Sequence, residues 1–159
     1  MSVNNILGPR EIGNITSTNL IVYAKCAEIS PVATRVTDFA DGDAITQADK
    51  EHAVTKTGVD GRFVYGLVIR PNEVTMNLLP TSPFLRVVNQ CVGLQKSRLE
   101  GLPWEIEVTY PSIGEVQTFY EGILVSYPEL TGAQETLANK AITFHFGYVD
   151  TSTIDGAYA

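Results

Sequence analysis

The chain has few of the residues that most specialised sites require. It contains two cysteines, two histidines and one tryptophan in 159 residues. Neither His52 nor His145 lies in a motif with the spacing of metal ligands. No apolar run approaches the roughly 18 residues of a membrane span, and the start lacks the basic and apolar segments of a signal peptide. We therefore expect no metal, no cofactor and no membrane binding by this chain.

Basic residues are also scarce, with 11 Lys and Arg against 18 Asp and Glu, which gives a net charge of -7. Proteins that grip nucleic acid neutralise its phosphates with Lys and Arg, so a tight clasp on DNA is disfavoured. Hydrophobic residues make up 44% of the chain, enough for one domain to bury a core without disulfides or metals. Cys26 and Cys91 stand in apolar segments and are interpreted as buried, reduced thiols.

Strand patterns dominate the chain. Apolar residues alternate with polar ones from Trp104 to Tyr110 and from Ile142 to Tyr148, which predicts strands with one buried and one polar face. The pattern favours a mainly β fold, an antiparallel β-sandwich or barrel with one flanking α-helix. Strands are predicted over residues 19–29, 36–40, 44–48, 52–57, 62–69, 73–79, 104–110, 115–125 and 141–149.

One segment changes to helical spacing, and its helix is predicted over residues 83–99. Ser82 is the expected N-cap, Pro83 suits the first helical position, and Gly101 is expected to end the helix in a left-handed conformation. The helix lies inside a β domain predicted over residues 19–150. An irregular N-terminal arm over residues 1–18 and a C-terminal tail over residues 151–159 are expected on either side.

Catalytic groupings are weak. Cys91 and His145 form an arithmetically possible nucleophilic pair, but Cys91 stands in an apolar stretch without the electropositive setting of a reactive thiol. Glu105 and Glu107 share one strand face roughly 7 Å apart, a separation that acid and base catalysis on a sugar could use. A solvated strand face explains these carboxylates equally well. We expect the protein not to be an enzyme.

The segment "DAITQADKEHAVTKT", residues 43–57, reads as an extended hairpin that is polar on both faces. Such a hairpin cannot bury itself within one subunit, so we expect it to contact a neighbouring subunit. The candidates for this contact are Asp43, Thr46, Asp49, Lys50, Glu51, His52 and Lys56.

From residue 41 to residue 150 the order of motifs resembles the tail tube proteins of contractile-tailed bacteriophages, in particular the small Mu-like tube proteins. The resemblance depends on the polar hairpin "DGDAITQADKEHAVTKTGVDG" and on "NLLPTSP", where a strand ends and a helix begins. It also depends on three later segments, "WEIEVTYPSIGE", "FYEGILVSYPEL" and "AITFHFGYVD".

The resemblance implies a structural virion protein: a tail tube subunit whose homohexameric rings stack into a conduit for DNA ejection. Sheath, baseplate and tail terminator proteins are the implied partners, and DNA would pass through without specific binding. The resemblance also implies location in the phage tail after assembly in the host cytoplasm. An acidic lumen would repel the phosphate backbone. The candidate lumen residues are Glu73, Thr75, Asn77, Glu105 and Glu107.

Two alternatives remain open at this stage. The first is another ring protein of the tail, such as a tube initiator or terminator. The second, more distant, is a carbohydrate-binding or hydrolytic β-sandwich in which Trp104 and Tyr110 form a sugar platform beside Glu105 and Glu107. Burial of Trp104 and Tyr110 in the core would exclude that platform.

Overall fold

The computed structural model describes residues 19–153, and this part of the chain is mainly β with one α-helix. The predicted fold class, an antiparallel β fold with one flanking helix, is confirmed. The strands are β1 (Ile21–Cys26), β2 (Ser30–Val36), β3 (Ile45–Gln47), β4 (Ala53–Thr57), β5 (Phe63–Leu67), β6 (Asn72–Leu78), β7 (Trp104–Tyr110), β8 (Glu115–Ser126) and β9 (Lys140–Thr153), and the helix is α1 (Phe84–Arg98).

Seven strands form one antiparallel sheet in the order β2-β1-β7-β8-β9-β6-β3, called the main sheet below, while β4 and β5 pair separately. The register shifts between Trp104 and Ile106 on β7 and between Leu124 and Ser126 on β8. Irregularities of this kind increase the local twist and bend a sheet. A bridge between Phe39 and Leu78 joins the segment after β2 to β6. The two ends of the main sheet are thereby drawn towards each other, which gives the barrel-like curl.

The core lies between the concave side of the main sheet and α1. On β6 and β7 every second residue is buried, as the alternation predicts. Trp104 is at the centre, with its ring 5.8 Å from Phe84 of α1 and 5.3 Å from Phe144 of β9. Edge-to-face aromatic packing of this kind adds to the stabilisation from burial alone. The helix contributes Phe84, Leu85, Val88 and Cys91 to this core.

The ends of the helix differ from the prediction. Pro83, not Ser82, is the N-cap, and no side chain caps the helix. Ser82 donates its hydroxyl hydrogen to the carbonyl of Thr37 at 2.7 Å, because it is buried against the segment that follows β2. At the other end Leu99, not Gly101, adopts the left-handed conformation at φ 57°, and its N–H binds the carbonyl of Gln95. Local sequence chemistry placed both ends within two residues, but tertiary contacts decided the residue.

Two further boundaries differ. The second strand runs over Ser30–Val36, whereas the sequence predicts residues 36–40. Residues 36–40 instead lead from β2 to β6, where the backbone N–H of Ala40 donates a hydrogen bond to the carbonyl of Asn77 at 2.9 Å. Strand β9 continues to Thr153, three residues into the predicted C-terminal tail, because its last residues pair with β8. The predicted N-terminal arm and the rest of the tail lie outside the described residues.

Candidate assembly surfaces

The side of the main sheet that faces away from α1 is called the polar face here. All five predicted lumen residues lie on it, since they alternate with the buried residues of β6 and β7. Strands β8 and β9 separate the two groups, so Glu73, Thr75 and Asn77 stand roughly 14 Å from Glu105 and Glu107, three strand spacings away. The structure therefore brings these five residues onto one surface but not into one cluster.

The three predicted residues on β6 are engaged within the sheet. The Glu73 carboxylate lies 3.3 Å from Nε2 of His145, and the hydroxyls of Thr75 and Thr143 are 3.2 Å apart. Asn77 donates its side-chain N–H to the carbonyl of Asp43 at 2.6 Å. Cross-strand pairs such as these fix the register of β6 against its neighbours.

Carboxylates predominate on the polar face. Glu105 stands directly opposite Lys25 of β1, and Glu107 stands opposite Tyr23. Asp150 of β9 lies opposite Thr118 on the same side. Within residues 19–153, Lys25 and Arg35 are the only Lys or Arg side chains that the main sheet presents on this face. Arg35 lies on the edge strand β2. The face is therefore acidic, as expected for a surface that repels phosphates.

A depression of about 610 Å³ indents the polar face between β1, β7 and the middle of β8 and β9. Its lining includes Lys25, Glu105 and the rings of Tyr120 and Tyr148, whose centroids are 5.7 Å apart. The register shift between β7 and β8 lies beside it, where Glu121 of β8 has a φ of 56°. The depression combines aromatic and acidic side chains, and it is part of the polar face and not a separate enclosed site.

Strands β4 and β5 form a hairpin that belongs to no larger sheet, called the β4–β5 hairpin below. All ten strand residues of this hairpin are exposed. Their side chains include apolar ones that a subunit normally buries: Phe63 is 60% exposed, Tyr65 77% and Leu67 81%. Isolated two-stranded hairpins are marginally stable in water. An unburied apolar hairpin of this kind marks a contact surface.

The predicted hairpin over residues 43–57 does not form. Thr46 lies on β3, which pairs with β6 at the edge of the main sheet, whereas Lys56 lies on β4, which pairs with β5. Asp49, Lys50, Glu51 and His52 belong to the connection between these two strands, and Asp43 precedes β3. The predicted pairing within residues 43–57 was wrong: β3 and β4 pair instead with β6 and β5, whose Val, Phe, Tyr and Leu residues favour strands more than the polar segment does. Contact of these seven residues with a neighbouring subunit stays a prediction.

The apolar half of the real hairpin was missed as a functional surface. The sequence predicts a strand over residues 62–69, but an apolar run normally indicates burial. Two features of the sequence could have indicated an exposed apolar hairpin here. Apolar and polar residues do not alternate in "FVYGLVI", and an Asp60-Gly61 turn precedes it. Asp60 accepts a hydrogen bond from the backbone N–H of Arg62 at 3.1 Å, and Gly61 has a φ of 84°. These contacts close the tip of the hairpin.

The Cys91–His145 pair and the sugar platform do not assemble, whereas Glu105 and Glu107 share one face of β7. Cys91 is fully buried on the core side, where its sulfur accepts a hydrogen bond from Nε1 of Trp104 at 3.2 Å, and burial raises the pKa of its thiol. His145 lies on the polar face, so the sheet separates this pair. Trp104 is only 2% exposed and Tyr110 packs against the core. The sugar platform is therefore excluded.

Residues 19–153 also bear on metal binding and on membrane crossing. No three His, Cys, Asp or Glu residues in this part of the chain lie together as metal ligands would. The helix described there is too short and too polar to cross a membrane.

Comparisons with solved structures identify the same architecture in contractile injection systems. A chain of the anti-feeding prophage baseplate, a six-fold symmetrised structure, aligns with a TM-score of 0.60 at 8% identity over 89% of this chain and 97% of that chain. A chain of the extracellular contractile injection system sheath–tube complex aligns at 0.55 and 12% identity over 97% and 99%. A chain of the sheath/tube terminator of such a system aligns at 0.53 and 13% identity over 88% and 97%. At these identities the likeness establishes the tail tube-like fold.

No curated protein matches the sequence. A family model does match, the one described as Tail fiber protein gp32, and it covers residues 13–150. The match spans the β domain up to residue 150 of β9, including both candidate surfaces. The chain therefore belongs to the Tail fiber protein gp32 family, and it has a phage tail tube-like fold.

Proposed function

We propose that this protein is the subunit of a phage tail tube, in which homohexameric rings stack into a conduit for DNA ejection. The role is structural, without an active site. Sheath, baseplate and tail terminator proteins are its proposed partners, and the assembled protein is part of the virion tail after assembly in the host cytoplasm. Support comes from the family, which is a family of phage tail proteins by its name, and from the tube-like fold.

The β4–β5 hairpin is the observation that carries this proposal. Its exposed apolar side chains are removed from water only when a partner covers them. Another subunit of the same ring or of the next ring supplies that partner at every position of a regular tube. The base of the hairpin is formed by an ion pair at 3.3 Å between Glu51, which precedes β4, and Arg70, which follows β5.

The two edges of the main sheet provide the second contact. Strand β2 and strand β3 each have one side without a strand partner in the described residues. Unpaired strand edges join readily to another chain. Six copies joined through these edges would form one continuous inner barrel. The polar face would then line the lumen, and its carboxylates would keep DNA from adhering.

Negative-stain microscopy of the concentrated full-length protein tests the proposal. Hollow rings or tubes are the expected result, whereas a protein that stays monomeric at every concentration contradicts it. The double variant Tyr65→Ser and Leu67→Ser should lose tubes while its thermal unfolding stays unchanged. The matched control is Leu130→Ser, which removes a side chain that is 83% exposed outside the hairpin. Equal assembly by the double variant and the control would contradict the role of the hairpin.

A tube terminator or initiator is the second candidate. The sheath/tube terminator structure resembles this chain almost as closely as the sheath–tube complex does, with TM-scores of 0.53 and 0.55. The two candidates differ in the product of assembly. A tube subunit adds to both ends of a growing ring stack and forms long tubes, whereas a terminator forms single rings that do not elongate.

A further inference from the structure

A second pocket lies on the opposite side of the molecule from the polar face. It has a volume of about 490 Å³ and lies between the start of α1 and the loop that follows β8. Pro80, Thr81, Ser82 and Pro83 form one wall, and Arg86, Asn89 and Lys140 approach from the helix and from β9. None of the residues proposed for tube assembly contributes to it. Its function is therefore a separate question.

Lys140 is the unusual member of this pocket. It is only 6% exposed, although lysine is among the residues that proteins bury least. Its ammonium group contacts only neutral oxygens, the hydroxyl of Tyr127 and the carbonyl of Glu129, both at the long distance of 3.4 Å. The ammonium group also lies 5.0 Å from the centre of the Tyr127 ring. No described carboxylate forms an ion pair with it, so a buried positive charge is left without a counter-ion.

The other charges near the pocket do not neutralise Lys140. The carboxylate of Glu129 is paired with Lys96. Asp38, which accepts a hydrogen bond from Thr81 at 3.1 Å, is not part of the pocket lining. Arg86 adds a second cation, and its guanidinium has no ion pair within residues 19–153. The first turn of α1 contains no acidic residue, so the positive end of the helix dipole is also unopposed there.

We propose that this pocket binds a carboxylate of an acidic segment on a partner protein, with Arg86 and Lys140 as the binding cations. A guanidinium can hold a carboxylate through two parallel hydrogen bonds. The ammonium of Lys140 has three N–H groups, and its two contacts with Tyr127 and Glu129 leave one for a further bond. DNA is a poor alternative, because a grip on its backbone needs many Lys and Arg contacts to phosphates and this pocket offers two cations. A single carboxylate can be held by the positive charges at the pocket alone, those of Arg86, Lys140 and the start of α1.

Binding of a labelled oligoglutamate peptide to the full-length protein tests this assignment, with an oligoglutamine peptide of equal length as the peptide control. Fluorescence anisotropy should show glutamate-specific binding. Arg86→Gln should weaken it by about tenfold, the loss expected for a charge-assisted hydrogen bond. Arg35→Gln removes an exposed arginine on the polar face and should leave binding unchanged.

Lys140→Met should weaken binding as well, and the exposed Arg86→Gln variant keeps the test valid if this buried substitution impairs folding. Amide NMR signals of Ser82, Phe84 and Leu85 should shift with the oligoglutamate peptide. Absence of peptide binding, or binding that Arg86→Gln leaves intact, overturns the proposal. A site that responds to inorganic phosphate but not to the glutamate peptide overturns its assignment to a protein carboxylate. Preferential binding of double-stranded DNA overturns it as well.

Discussion

Trp104 of β7 donates its indole N–H to the sulfur of Cys91 on α1 at 3.2 Å, and both residues are buried. This bond is a polar link between the sheet and the helix in an otherwise apolar core. The bond explains why Trp104 can be buried, since an indole N–H without a hydrogen-bond partner would destabilise the folded protein. It also assigns the thiol a structural role, because the sulfur is the acceptor.

Cys91→Ala should lower the free energy of unfolding by about 1–3 kcal/mol, because it leaves the Trp104 N–H without an acceptor and opens a small cavity. Urea denaturation followed by tryptophan fluorescence measures the loss. Gln90→Ala is the control, since this neighbouring helix residue is exposed. A loss no larger than that of the control would show that the sulfur is not a significant acceptor.

Stability should decrease at alkaline pH, partly through Tyr110. Burial and the nearby Glu115 carboxylate raise the pKa of its phenol above the ordinary value of 10.0. The unfolded chain therefore loses this proton first as pH rises, so the stabilisation is complete below pH 10 and decreases above it. Tyr110→Phe should reduce the slope of unfolding free energy against pH in that range. Tyr65→Phe, on the exposed hairpin, should not, and equal slopes for the two variants would contradict this explanation.

Gly122→Ala should destabilise the protein by about 1–3 kcal/mol through overpacking. The ring of Phe146 lies over Gly122, and a Cβ there would stand 2.2 Å from its Cε1 atom. Gly66→Ala is the matched control, because a Cβ on that strand glycine meets no atom within 4 Å. Thermal unfolding of both variants decides the point. Phe146→Leu should partly rescue Gly122→Ala, and a neutral Gly122→Ala would contradict the packing described here.

Reversing the charge of the polar face should make the proposed conduit retain DNA. The double variant Glu105→Lys and Glu107→Lys should still assemble, because both side chains project from the sheet. Assembled variant protein should then co-sediment with DNA in a salt-sensitive manner. Glu100→Lys with Glu135→Lys makes the same charge change away from the polar face. Similar DNA retention by both double variants would contradict the lumen assignment.

Much of this architecture is predictable because it depends on local patterns. Alternation on β6 and β7 indicates which side chains enter the core, and the five candidate lumen residues share one face for the same reason. Partner choice is a different matter. The order of strands depends on contacts between residues far apart in sequence, and no local pattern shows that β3 pairs with β6 and β4 with β5.

The sequence alone determined the strand faces, the acidic charge and the change from strand to helix at Pro80 and Pro83, because steric limits and side-chain period act between neighbours. Only the tertiary structure decided that Leu99 takes the left-handed position, that Lys140 is buried without a counter-ion, and that an apolar hairpin is left exposed. These features depend on which distant segments pack together. The burial and the partners of a residue depend on that packing, which a short stretch of sequence does not specify.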